Sequence, residues 1–230
     1  MRLSILSISN LSGFFPTTLT NPIPDSSLTT NGVPFSTRAY WMRQANKALV
    51  ELSLSPCPFS AFSAVIVNHT NTDELGDLVC MGVNQRLQTG NPAMHGEITA
   101  ITNCTAILTD PAGRFRLTPS QAQAAFADLT LYTNAESCTM CASAIRWAGF
   151  KEYVYGTSID TLAQKGWAQI NISSSEVFKA SFDLPSRTRL IGGVLANETD
   201  PYFLWQYDRS YPCPGGCARA EKGASCRIAM

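Results

Sequence analysis

Histidine is nearly missing from this chain: His69 and His95 are the only two in 230 residues. A metal site built from several imidazoles is therefore excluded, and one that needs a single imidazole has little choice. His69 lies in Asn68-His69-Thr70, just past an apolar run, and reads as loop. That leaves His95. An excess of either charge is also absent. Seventeen Lys and Arg balance seventeen Asp and Glu, and charged residues make up only 15%. Gripping a phosphate backbone takes clustered positive charge. The basic clusters here are slight, Arg114 with Arg116 and Arg187 with Arg189, so a nucleic-acid partner is disfavoured. Nor does any stretch approach the ~20 apolar residues of a membrane-spanning helix, and no membrane partner is expected.

What is present is a globular composition, 45% hydrophobic, on a chain long enough to bury a core. Cysteine is abundant, with eight residues. Two of them stand in Cys138-Thr139-Met140-Cys141, downstream of His95-Gly96-Glu97. One imidazole and two thiolates can hold zinc at three corners and leave a fourth open for water. A glutamate two residues from the histidine can move protons without binding the metal. The other readings are a redox or disulfide pair for the two cysteines, a helix-start role for His95, and a first-turn acid for Glu97.

Six cysteines remain: Cys57, Cys80, Cys104, Cys213, Cys217 and Cys226. An even remainder suggests up to three disulfides and an oxidising compartment; buried free thiols are the alternative. Glycosylation sequons at Asn10, Asn68, Asn103, Asn171 and Asn197 exceed the about two expected by chance. The start, Met1-Arg2 followed by Leu3 to Ile8, resembles a signal start, interrupted by Ser and without a clear cleavage site. Together these predict an extracellular protein, with the cytoplasm as the alternative.

Residues 1–36, broken by Pro16, Pro22, Pro24 and Pro34, read as an extended or disordered lead. Trp41, Ala45, Ala48 and Leu52 make one apolar face of a helix over 37–52, ended by Pro56 and Pro58. Ala61–Val67 and Asp77–Val83 read as a hairpin across the polar turn 71–74. A loop over 84–94 leads to a helix opening at His95, with Ile98, Ile101 and Leu108 on one face. A short helix over 120–126 precedes a strand over 129–133. The cysteine pair then opens a helix whose free N–H groups favour negative sulfur. Strand 152–156, helix 159–166 and strand 189–194 follow, and the helix between those strands favours a right-handed parallel crossover. The tail is expected to form one aromatic helix and a cysteine-rich cap. This order predicts an α/β fold, a three-layer α-β-α sandwich around a central mixed five-stranded sheet. The chain divides into a lead (1–36), a domain (37–195) and a C-terminal extension (196–230).

Over residues 37–195 the chain resembles the cytidine deaminase-like superfamily, nearest the guanine deaminase and tRNA adenosine deaminase branch. Histidine-x-glutamate followed by cysteine-x-x-cysteine is the signature of zinc deaminases. Gly82-Val83-Asn84 with Asn91-Pro92-Ala93-Met94-His95 resembles the family's substrate loop, which implies that Asn84 binds substrate. Ala142 to Ala148, Tyr155-Gly156 and Lys165-Gly166-Trp167 fit the same branch. Three departures stand out. Gly96 replaces the usual alanine, and Ser137 and Thr139 replace prolines, which is expected to loosen the backbone near the metal. The resemblance implies zinc on His95, Cys138 and Cys141, and hydrolytic deamination with Glu97 as the proton carrier. The expected substrate is a small purine-type base or nucleoside of the guanine, guanosine or adenosine class, with release of ammonia. A tRNA-type nucleic-acid deaminase and a catalytically silent binding protein are the alternatives. Tyr202, Phe203, Trp205 and Tyr207 either close over a planar base or pack in the core, and a homodimer stays open.

Overall fold

A computed structural model describes residues 28–70, 75–220 and 225–229. The predicted turn at 71–74, the signal-like start and the Asn10 sequon lie outside the described residues. A small hairpin, β1 (Thr29–Thr30) and β2 (Val33–Pro34), leads into α1 (Phe35–Ser53). The hairpin β3 (Ser63–Asn68) and β4 (Asp77–Val83) is followed by one turn of helix, α2 (Arg86–Thr89), and by α3 (Gly96–Thr109). Then come α4 (Pro119–Ala125), β5 (Leu129–Ala135), α5 (Thr139–Ala148) and β6 (Glu152–Thr157). The crossover carries α6 (Ile159–Gln164) and α7 (Ser174–Ala180) before β7 (Arg189–Ile191). The tail holds α8 (Ala196–Thr199), α9 (Pro201–Leu204) and a last hairpin, β8 (Cys217–Arg219) with β9 (Cys226–Ile228).

The five main strands line up as β4-β3-β5-β6-β7. β3 pairs antiparallel with both β4 and β5, while β6 and β7 continue parallel to β5. All seven residues of β5 are buried, as a central strand covered on both faces should be. One face packs on α1, Leu162 of α6, and Phe203 and Leu204 of the tail. The other packs on α3, Ala122 of α4, Ile145 of α5, and Phe126, Phe150 and Tyr153. The expected three-layer sandwich with a mixed five-stranded sheet is what these contacts form.

Several details differ from the sequence expectation. Residues 29–34 form a hairpin, and α1 runs longer at both ends than 37–52. It stops at Leu54, which adopts the left-handed conformation (φ 57°), before either proline. β3 begins at Ser63, and β7 is three residues long. The crossover holds two helices, the second opened by a capping box between Ser173 and Glu176 that resembles no hydrophobic period. The tail forms two single-turn helices in place of one, because Pro201 starts a new turn.

Far from the cysteine pair, Arg38 and Glu152 form an ion pair at 3.0 Å with both side chains 2% exposed. Arg38 also donates to Thr30 O at 2.7 Å, and Asn31 donates to Glu152 at 2.6 Å. One buried pair thus ties the first hairpin, α1 and β6 together. His69 lies beside it, with Nε2 2.9 Å from the Tyr132 hydroxyl.

Three disulfides are closed: Cys57–Cys217, Cys80–Cys104 and Cys213–Cys226. The second joins β4 to α3. Cys138 and Cys141 stay unpaired. Among the described residues no helix is long and apolar enough to cross a membrane.

Candidate active site

Both metal-type motifs sit where a loop becomes a helix at one end of the sheet. His95 is the N-cap of α3 (φ −72°, ψ 164°), and Cys138 is the N-cap of α5 (φ −62°, ψ 167°). Two helix N-termini therefore point free N–H groups at the same place, which favours negative charge there. The donor atoms of His95, Cys138 and Cys141 all lie within 4.8 Å of one another. Cys138 Sγ is 3.6 Å from His95 Nδ1, and Cys141 is fully buried.

The three donors hydrogen-bond in sequence, His95 to Cys138 and Cys138 to Cys141. The Cys141 thiol hydrogen-bonds to Cys138 and, with His95, pulls the Cys138 thiol down to about 4, against the opposing cost of burial. The same hydrogen bond and burial push the Cys141 thiol up. His95 is raised, mainly by its hydrogen bond to Cys138. One nitrogen and two sulfurs suit zinc. His95 and Cys138 also line an adjoining cavity, so the cluster is open on one side. These residues fit a catalytic zinc.

Glu97, in the first turn of α3, is only 4% exposed and faces the same cavity. Burial raises its carboxyl above the usual range, and the negative Cys138 beside it adds to that. A carboxylate held this way is poised to take up and release a proton.

The departures from the family pattern do not loosen the backbone, as the sequence alone suggested. A Cβ on Gly96 would lie 2.8 Å from the Phe62 carbonyl oxygen, so glycine lets the start of α3 touch the strand entrance. The Ser137 N–H donates to the buried Tyr153 hydroxyl at 2.7 Å, a bond that proline could not make. Thr139 takes the first helical position of α5, where proline would also fit.

The cavity measures about 190 Å³. Asn84 lines it. Its own N–H donates to Phe62 O at 2.9 Å, and its side-chain oxygen accepts from Arg86 N at 3.1 Å. That assignment leaves the amide NH₂ as the free donor. Phe59, Phe62, Trp167 and Tyr207 line the same cavity as an aromatic wall. Sequence reasoning singled out four tail aromatics, and only Tyr207 lines the cavity. Phe203 is fully buried in the core, Tyr202 packs against that core, and Trp205 packs among cysteines. Phe59 and Phe62 were missed, although two phenylalanines in a proline-flanked loop are a usable signal. Glu136 was missed too. Its carboxylate accepts from Ile159 N (2.9 Å), Ser174 N (2.8 Å) and Ser174 Oγ (2.6 Å), and so caps the starts of α6 and α7.

A histidine and two thiols within 4.8 Å beside a buried proton-carrying carboxylate define a site for metal-assisted hydrolysis. The family described as "Cytidine and deoxycytidylate deaminase zinc-binding region" matches residues 36–157, and the chain belongs to that family. It is a deaminase, a hydrolase acting on C–N bonds. The guanine deaminase of Bacillus subtilis is 28% identical over 148 residues, covering 63% of this chain and 79% of the relative. The cytosine deaminase of Candida albicans is 31% identical over 101 residues, covering 41% of this chain and 58% of the relative. The solved guanine deaminase of Nitrosomonas europaea shares the fold, with a TM-score of 0.50 at 17% identity over 78% of this chain and 84% of that one.

Proposed function

We propose that the protein is a zinc-dependent hydrolytic deaminase of a small purine-type base or nucleoside. The observation that carries this reading is the buried Glu97 carboxylate facing an aromatic-walled cavity of about 190 Å³ beside the His95, Cys138 and Cys141 cluster. His95, Cys138 and Cys141 would hold the metal. Bound zinc supplies a water activated for attack at neutral pH. Glu97 would accept one proton of that water at a carboxylate oxygen and deliver it to a ring nitrogen as the oxygen bonds to the amine-bearing carbon. It would then take the remaining hydroxyl proton and pass it to the amine, so that the carbonyl forms, the C–N bond breaks and ammonia leaves. The free NH₂ of Asn84 donates to an acceptor on the ring. Phe59, Phe62 and Tyr207 exclude water and face the ring plane.

The purine choice is supported by the Bacillus subtilis relative and by a solved structure of the same fold, at 17% identity, that holds 8-azaguanine. A second reading, a pyrimidine base, is favoured by the 31% identity to a cytosine deaminase. Ammonia release across guanine, guanosine, adenine, adenosine, cytosine, cytidine and a single-stranded oligonucleotide decides between them. Turnover of guanine or guanosine ahead of cytosine is expected. Faster cytosine turnover would replace purine by pyrimidine, and turnover of the oligonucleotide alone would overturn the small-substrate class.

An extracellular location is part of this proposal, on the general ground that disulfide-rich chains belong to oxidising compartments. Counting thiols in denatured, zinc-free protein from the native source should find two, Cys138 and Cys141. Eight would return the protein to a reducing compartment.

A further inference from the structure

The mouth of the cavity is framed by two side chains from opposite parts of the chain. Phe59 comes from the loop after α1 and Tyr207 from the tail, and both are about half exposed, at 57% and 50%. Both rest on Trp167, with ring centroids 5.6 and 5.3 Å away, and lie 6.5 Å from each other. Their supports differ. Tyr207 lies over Gly166, where a Cβ would come within 3.3 Å of its ring, and its neighbour Asp208 pairs with Lys165 at 3.4 Å. The Trp167 indole also donates to Phe203 O at 2.9 Å.

Phe59 is anchored differently, and its N-terminal side is the less supported one. Its loop contains neither helix nor strand and carries left-handed residues at Leu54 and Ser60 (φ 57° and 61°). Before Phe59 the hydrogen bonds of that loop are local, as from Cys57 N to Ser55 Oγ, whereas past it the chain is tied to the sheet, with Ala61 O accepting from Asn134 Nδ2 at 2.8 Å and Phe62 O from Asn84 N at 2.9 Å. The one long-range tie just before Phe59 is covalent, from Cys57 to Cys217 across 160 positions of sequence. That disulfide packs against Trp205, two residues before Tyr207, together with the Cys213–Cys226 bond. One clamp therefore grips both sides of the mouth.

We propose that the Cys57–Cys217 disulfide is a positioning element of the substrate pocket, fixing Phe59 against the tail so that Phe59 and Tyr207 can grip a planar ring. This rests on the reading of the cavity as the substrate site. Ring binding depends on the clamp, whereas proton transfer at Glu97 does not. The other body disulfide, Cys80–Cys104, joins β4 to α3 away from the mouth and serves as the contrast.

The test uses the full chain with zinc bound. In a Cys57→Ser, Cys217→Ser variant, KM for the best base should rise about tenfold, the range expected for losing one aromatic stacking partner. Zinc content should hold, and kcat should stay within about twofold because the proton-transfer groups are untouched. Cys80→Ser with Cys104→Ser should leave KM unchanged. Phe59→Ala with all disulfides intact should raise KM as the clamp variant does, and combining the two should add little. An unchanged KM in the clamp variant, an equal rise in the Cys80/Cys104 variant, or a combined effect equal to the product would overturn the proposal. If the clamp variant does not fold, Phe59→Ala and Tyr207→Ala carry the test, and an unchanged KM in both overturns it. Calorimetric titration with purine itself, which lacks an exocyclic amine, reads the clamp without turnover. Weaker purine binding in the clamp variant supports the proposal, and equal binding overturns it. Failure of the substrate-site reading would appear separately, as no ammonia release from any base or nucleoside by the unmodified protein.

Discussion

The two ends of the central sheet each hold a histidine and a buried glutamate, and they use them in opposite ways. At one end Glu152 is locked to Arg38 at 3.0 Å, and His69 beside it is pushed down to about 4, chiefly by burial and then by the nearby Arg38 cation. At the other end no guanidinium pairs with Glu97 among the described residues; burial and Cys138 raise its carboxyl, and the Cys138 hydrogen bond raises His95. The same residue types become a static clamp where a permanent cation is supplied. They become a proton-handling site where the carboxylate faces a cavity with no guanidinium locked onto it.

The sharpest way to break this contrast is to exchange the roles by mutation. Glu97→Gln should lose about 10²–10⁴-fold in turnover, since the proton path runs through it, while zinc and thermal stability are kept. Metal analysis alongside steady-state kinetics checks this, and near-normal turnover would remove the mechanism. Glu152→Ala should do the reverse. It leaves Arg38 buried and unpaired, which costs about 3–5 kcal/mol of stability, read by denaturant unfolding. Activity per folded molecule should be retained.

Smaller effects test the packing that supports the active end. Ser137→Pro removes the N–H that the buried Tyr153 hydroxyl accepts, at a cost of about 1–3 kcal/mol. Gly96→Ala pushes a methyl group against the Phe62 carbonyl, for about 1–3 kcal/mol of overpacking. A neutral melting temperature in both would mean that the family's usual residues fit here after all. The smallest effect concerns His69. Its folded value is depressed, so its contribution to stability is full above the unfolded value near 6.5 and is lost as pH falls towards 4. His69→Gln, which keeps a partner for Tyr132, should flatten the stability profile across that window and leave it unchanged above pH 7.

The metal cluster was legible in the sequence because its information is local: His95 with Glu97, and Cys138 with Cys141, lie within three positions of each other. The main strands were legible for the same reason, as short apolar runs between polar turns. The aromatic wall was not, since Phe59, Trp167 and Tyr207 meet only after the crossover and tail have folded back. The Arg38–Glu152 pair spans 114 positions and leaves no periodic trace. Gly96 and Ser137 looked like loosening substitutions because their partners, Phe62 and Tyr153, are distant in sequence, 34 positions before Gly96 and 16 after Ser137.

The Cys57–Cys217 bond also changes the connectivity of the molecule. It makes one closed covalent ring of the chain between those two positions, and His95, Glu97, Cys138 and Cys141 all lie inside it. A protease that cuts the exposed stretch around Ile170–Asn171 would open the ring without releasing a fragment. Such a nicked enzyme would run as two pieces on a reducing gel, as one on a non-reducing gel, and would keep its metal ligands on a single covalent body.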